Sequence, residues 1–145
     1  QLIEGNFPDY NRIIPKAYST RLITDTAQFR KACKTADIFA RESAHTARLS
    51  IVPGDEVSPG RLTVTATSAE TGDNVGELDA LVEGAGMDIS LPDWRTRRRA
   101  SLTQTQRVDT NQVALELTTP SSPGVIRAVG NENFLHVIMP MHLSR

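Results

Sequence analysis

The sequence predicts an α+β domain, and three observations predict it. One stretch is amphipathic at helical spacing, several short stretches alternate apolar with polar residues, and Gly/Pro-rich breaks separate them. The helix covers about 26–41. Phe29, Ala32, Cys33, Ala36 and Phe39 recur on one side, while Arg30, Lys31 and Lys34 share the other. Asp25 offers an N-cap, with Gln28 three residues on, as a capping box prefers.

The strands follow in order. Residues 1–18 are extended and punctuated by Pro8 and Pro15, which block a helix and leave an edge strand followed by a connector. A short strand spans 21–23. Leu49 and Ile51 alternate with Arg48 and Ser50, and Pro53-Gly54 and Pro59-Gly60 frame a loop. Leu62, Val64 and Ala66 alternate with Thr63, Thr65 and Thr67 at a period of two. Gly72-Asp73-Asn74 turns the chain into a strand with Leu78, Ala80 and Val82 on one face, and a short strand at 87–89 ends that half.

From Leu91 to Thr110 the pattern breaks, with no apolar period of 2 or 3.6 through Pro92-Asp93-Trp94-Arg95-Thr96-Arg97-Arg98-Arg99. A helix over 100–107 has poor propensity and a thin apolar face. Order returns with Val113, Leu115 and Leu117, a turn at 120–124, a strand at 125–129, a turn at 130–133 and a last strand at 134–139. A helix in the irregular stretch would make the domain two copies of a strand-helix-sheet unit.

Composition bounds the function classes. The chain has 145 residues, enough for one domain with its own core. Four Phe, two Tyr and one Trp make that core mostly aliphatic. The single Cys33 forms no internal bridge and points to a reducing, cytoplasmic setting. No run approaches the roughly 18 apolar residues of a membrane helix, so no membrane partner is expected. A signal peptide is missing from Gln1-Leu2-Ile3-Glu4, and the lack of an initiator Met suggests a fragment. The net charge of −1 argues against a general nucleic-acid coat. All three Lys lie in the first 34 residues, however, and Arg95, Arg97, Arg98 and Arg99 form a run, so one basic face is still available.

Catalytic and metal chemistry find little support. His45, His136 and His142 show no metal-ligand spacing with Cys33 or the acidic residues. Gly84-Ala85-Gly86 is too short for a phosphate loop. Ser43 with His45, and Ser144 with His142, are neighbours in sequence only, which builds no triad. Asp55-Glu56 reads as a solvated loop pair, and Arg99-Ala100-Ser101 is too common a phosphorylation pattern to count. No enzyme, metal or cofactor is expected.

Two stretches carry a specific resemblance. Leu2-Ile3-Glu4-Gly5-Asn6-Phe7-Pro8-Asp9-Tyr10, continuing through Arg12-Ile13-Ile14-Pro15, resembles the segment joining the middle and last domains of the beta subunit of bacterial DNA polymerase III, the sliding clamp. Val137-Ile138-Met139-Pro140-Met141-His142-Leu143 resembles that family's C-terminal tail. Between them, Ala36-Asp37-Ile38-Phe39-Ala40-Arg41-Glu42 and Ser121-Ser122-Pro123 fall in the family's order. The resemblance implies an α+β processivity-clamp (DNA clamp) domain of two strand-helix-sheet units, the second helix atypical or missing. It makes 1–18 the last strand of the middle domain with the interdomain connector, and 19–145 the C-terminal domain with a divergent segment at 91–110.

The family's clamp is a non-catalytic ring of two identical subunits around duplex DNA. It tethers the polymerase III catalytic subunit, the clamp loader and other replication proteins through short linear motifs. The resemblance therefore implies a peptide pocket built by Pro8, Arg12, Ile13, Ser121, Pro123, Val137, Ile138, Met139, Pro140, Met141 and Leu143. The residue types fit: prolines hold backbone at low entropic cost, Met139 and Met141 adapt to many partners, and Arg12 offers a charged rim donor. Either Val137 and Met139 face the pocket with Ile138 in the core, or the reverse; a terminal apolar strand is also commonly core throughout. Ile38 and Phe39 match a subunit-interface pair, against the end of a helix packing inward. Lys31 and Lys34 match residues facing duplex DNA without reading bases, against an ordinary solvated face. The alternative function is a standalone basic nucleic-acid-binding or structural domain derived from a clamp and without tethering. Segment 91–110, where the family has an aliphatic helix, is explained either as a lineage-specific insertion or as a local reading-frame disturbance.

Overall fold

The computed structural model describes residues 14–15, 17–40, 46–70, 72–92 and 110–141. In chain order its elements are β1 (Thr20–Asp25), α1 (Thr26–Ala40), β2 (Thr46–Val52), β3 (Gly60–Ser68), β4 (Gly72–Gly84), β5 (Met87–Pro92), β6 (Gln112–Leu117), β7 (Gly124–Ala128) and β8 (Asn131–Ile138). All strand pairs are antiparallel, in the order β5-β2-β3-β4-β1-β6-β7-β8.

Alternation decides the strand faces. Leu62, Val64 and Ala66 of β3 are buried, and Leu49 and Ile51 of β2 point the same way. Helix α1 starts where the amide of Gln28 donates to Asp25 Oδ1 at 2.8 Å, satisfying one of the helix's orphan donors. It lays Phe29, Cys33, Ala36 and Ala40 onto β3 and β4, leaving Lys31 and Lys34 exposed. The core is aliphatic as expected: among its largest fully buried side chains are Leu22, Leu49, Leu62, Ile89, Leu117 and Ile126. Burial pushes the Cys33 thiol well above its ordinary pKa, which keeps it protonated and inert.

Two sequence expectations need correction. The break placed at Leu91 begins later, because β5 continues to Pro92 and Leu91 is buried. A proline is tolerated there because β5 ends the strand order and its last pair is Thr46↔Pro92. Gly72-Asp73-Asn74 lies inside β4 rather than in the turn, since Ser68 already faces Gly72 across the hairpin. The helix-end pair Ile38 and Phe39 is split: Ile38 is 56% exposed, whereas Phe39 packs against the core. The extended piece 1–13 and the stretch 93–109, where a second helix would fall, lie outside the described residues.

The strand order reveals an internal pseudo-twofold. Each half is a leading strand plus a three-stranded meander, but the leading strands are exchanged: β5 joins β2-β3-β4, and β1 joins β6-β7-β8. The meanders start alike, with Ser58-Pro59-Gly60 opening β3 and Ser122-Pro123-Gly124 opening β7. Gly60 pairs with Ala80 and Gly124 with Ile138. Each hairpin enters its second strand through a left-handed glycine, Gly72 (φ 91) as the first residue of β4 and Gly130 (φ 84) just before β8, a conformation that costs glycine nothing. The β1–β4 seam, Thr20↔Gly84 through Ile23↔Leu81, joins the halves.

Candidate functional site

The sheet face opposite the core carries a continuous row across five strands. Register aligns Glu83, Arg21, Glu116, Val125 and Val137 on β4, β1, β6, β7 and β8. The row begins charged and ends apolar. Arg21 Nη1 stands 3.5 Å from Glu83 Oε2, and Arg21 Nε stands 3.6 Å from Glu116 Oε1. Arg127 Nε donates to Glu116 Oε2 at 2.9 Å, and the Arg21 guanidinium lies 5.9 Å from the Tyr18 ring centre. At the apolar end Val125 is 1% exposed yet stands apart from the main core cluster, so it forms a second, outer-face floor beside half-buried Val137.

Beyond the last β7–β8 pair, Gly124↔Ile138, register brings Pro123 alongside Met139. Met139 and Met141 are exposed and Pro140 is half-buried. The amide of Met141 donates to the Ser90 carbonyl at 2.9 Å, so this terminal segment crosses from β8 to β5. The turn before β7 is held by a Thr119 Oγ1···Ser122 Oγ contact of 2.6 Å and by the Ser122 amide donating to Thr119 Oγ1 at 3.1 Å. The connector is tied to the same turn. Thr118 Oγ1 donates to the Ala17 carbonyl at 2.9 Å, and Ser19 Oγ donates to the Thr118 carbonyl at 2.6 Å.

Of the residues expected to build a pocket, Ser121, Pro123, Val137 and Met139 gather at this end, and Pro140 and Met141 lead away from it. Ile138 does not join them. It pairs with Gly124 on the inner face and packs against the core, so Val137 is the strand residue that faces outward. Pro8, Arg12, Ile13 and Leu143 lie outside the described residues. Sequence reasoning missed Val125, although its alternation with Arg127 gave a signal. It also missed the connector anchors Ser19 and Thr118, whose partners are about a hundred residues away along the chain.

A second surface lies on α1. Ala27, Arg30, Lys31, Lys34, Thr35 and Ile38 line an open cleft, so the exposed Ile38 belongs to the basic side of the helix. The long β4 adds a free edge: among the described residues 72–80 have β3 as their only strand neighbour. Its pseudo-twofold counterpart is β8, which ends the strand order and among the described residues pairs only with β7. Both edges present unpaired backbone groups, the template for extending a sheet into a neighbouring domain. His136, half-buried on the inner face of β8 opposite Ile126, has its pKa lowered by desolvation. Among the described residues no group of three His, Cys, Asp or Glu side chains gathers as a metal site.

Comparison with known proteins gives the family of the domain. A family model described as the DNA polymerase III beta subunit, C-terminal domain, matches residues 11–142. The beta sliding clamp of Staphylococcus aureus is 27% identical over 142 residues, covering 97% of this chain and 35% of that protein. That of Pseudomonas putida is 27% identical over 143 residues, covering 99% and 36%. The crystal structure of the Bacillus subtilis sliding clamp superposes with a TM-score of 0.83 at 25% identity, covering 99% of this chain and 36% of that one. The Thermotoga maritima beta subunit gives 0.82 at 19% identity, covering 97% and 35%, a likeness of fold alone. The chain thus spans little more than a third of the length of the curated relatives it matches.

Proposed function

The chain belongs to the family of the DNA polymerase III beta subunit, C-terminal domain, and from that premise we propose that it docks short peptide segments of replication proteins at the end of β7 and β8. In this reading it is the tethering element of a sliding clamp and does binding, not catalysis. The observation that carries it is the outer-face floor of Val125 and Val137, with the exposed Met139 just beyond it along β8 and the exposed Met141 further along the same segment. A buried floor supplies affinity for one or two apolar anchors. Thioether side chains reshape around different ligands at little cost. The prolines and the tied connector hold the walls in place before a ligand arrives, which reduces the ordering cost of binding.

The remaining surfaces take their roles from the same reading. Lys31 and Lys34 on α1 face duplex DNA in the assembled ring and contact phosphates without reading sequence. Ile38 and the free edge of β4 meet the neighbouring subunit, and the edge of β8 faces the middle domain, whose last strand and interdomain connector make up 1–18. Phe39 supports that interface from the core side rather than touching the partner, consistent with its packing. The partners so implied are the polymerase III catalytic subunit and the clamp loader, each through a short linear motif, and a second copy of the full-length protein.

Deletion of 139–145 tests the docking reading. A fluorescent clamp-binding peptide from a replicative polymerase should bind the intact chain saturably and lose that binding with the truncated one. Equal binding by both would show that the pocket lies elsewhere.

A further inference from the structure

The pseudo-twofold carries the docking end of β7–β8 onto a second place, at the start of β3 and the end of β4. Pro59 there matches Pro123, Leu81 matches Met139, and Val57 matches Ser121. Register sets Pro59 beside Leu81, and Leu81 beside Ile23 of β1, all on the outer face. The side chains stand clear: Val57 is 93% exposed and Leu81 is 61% exposed.

Val57 is also held in position. Asp55 Oδ1 accepts from the amides of Val57 at 2.9 Å and Ser58 at 2.7 Å, and the Asp55 amide donates to the Ser58 carbonyl at 3.0 Å. Gly54 fits so tightly beneath this turn that a Cβ would stand 2.5 Å from the Ser58 carbonyl oxygen. An exposed valine on a fixed turn loses little conformational freedom when it is covered.

The charges around this patch differ from those at β8. Asp55 and Glu56 precede Val57 in its turn, and Asp79 and Glu83 flank Leu81 on the outer face of β4. Arg21 reaches Glu83 and Arg61 reaches Glu77 at 3.4 Å, whereas among the described residues Asp79 has no ion pair. The two amides keep Asp55 ionised by lowering its pKa. Two residues along the strands from Pro59 and Leu81, Arg61 faces Asp79 where the β8 end has Val125 facing Val137.

We propose that Pro59, Val57 and Leu81 form a second docking patch, which takes a short peptide segment with an aliphatic anchor flanked by lysine or arginine. The aliphatic residue covers Leu81 and Val57, and the flanking cations meet Asp79 and the acidic turn. The patch takes its place from the docking reading of β7–β8, but its ligand is cationic where that pocket takes an uncharged anchor.

The probe is the peptide Lys-Lys-Leu-Leu-Lys-Lys, titrated into the isotope-labelled chain and followed by amide shifts. Saturable shifts are expected at 57–61 and 79–83. Leu81→Ser and, separately, Val57→Ser should weaken binding by roughly tenfold with unchanged thermal stability, the scale of one covered aliphatic side chain. A version with glutamate in place of lysine should not bind. Shifts confined to β8, shifts on α1, or undiminished binding by both serine variants would overturn the proposal, as would equal binding of the glutamate peptide.

Discussion

The amide of Met141 donates to the carbonyl of Ser90 at 2.9 Å, joining the last described residue to β5 at the opposite end of the strand order from β8. This bond spans the second seam between the pseudo-symmetric halves. The first seam, between β1 and β4, has four residue pairs. The segment is therefore a light latch across one seam, leaving Met139 next to the docking floor while Met141 is held at β5.

Met141→Pro removes that donor without shortening the chain. Losing one hydrogen bond of this kind should cost about 1 kcal/mol in urea denaturation, and the latch should loosen. Affinity for a clamp-binding peptide should fall in parallel. Unchanged affinity would separate the latch from the pocket.

Val137 and Ile138 divide two roles between neighbouring positions. Val137→Asp places a carboxylate on the outer floor and should abolish peptide binding while leaving the thermal transition nearly in place. Ile138→Ala hollows the inner face and should destabilise by about 2 kcal/mol, the lower end for such truncations because the residue is only partly buried. The reverse pattern would mean that the two residues had exchanged faces.

Asp25→Ala removes the acceptor for the Gln28 amide and should destabilise the domain by about 1 kcal/mol. Asp25→Asn should recover most of that loss, because an asparagine oxygen still caps. Equal losses in both variants would assign the effect to charge rather than to capping.

His136 makes stability depend on pH. Burial lowers its pKa below the ordinary 6.5, so the folded chain resists a proton that the unfolded chain accepts. Its contribution is present above pH 6.5 and is lost as the pH falls from there through the lowered folded value. The melting temperature should drop between pH of about 7.5 and about 5.5, and His136→Gln should flatten that part of the profile. Asp55 and Asp88, whose pKa values are lowered by hydrogen bonds, act only at more acid pH. An identical slope in the variant would remove His136 from the account.

Much of this architecture is legible in the sequence. The spacing of Phe29, Cys33 and Ala36 sets the helix and its buried side, and Asp25 marks its start. Alternation in Leu62-Thr63-Val64 sets a strand. What alternation leaves open is which face is inside, because a period of two separates Val137 from Ile138 without saying which meets the core. That answer depends on Gly124 lying opposite Ile138, a pairing between strands. Residue contacts across about a hundred positions, such as Ser19 with Thr118, leave no local pattern. The internal repeat is hidden for a different reason. It survives in turns, Ser-Pro-Gly twice and a left-handed glycine twice, while the side chains between them diverge.

The most direct test of the docking account is a titration of the isotope-labelled chain with a short clamp-binding peptide from a replicative polymerase, followed by amide shifts. The account predicts saturable shifts at Val125, Val137 and 139–143, with Arg12 and Ile13 moving alongside them. A folded chain whose shifts stay unchanged, or move only at α1 or at Val57 and Leu81, would contradict it.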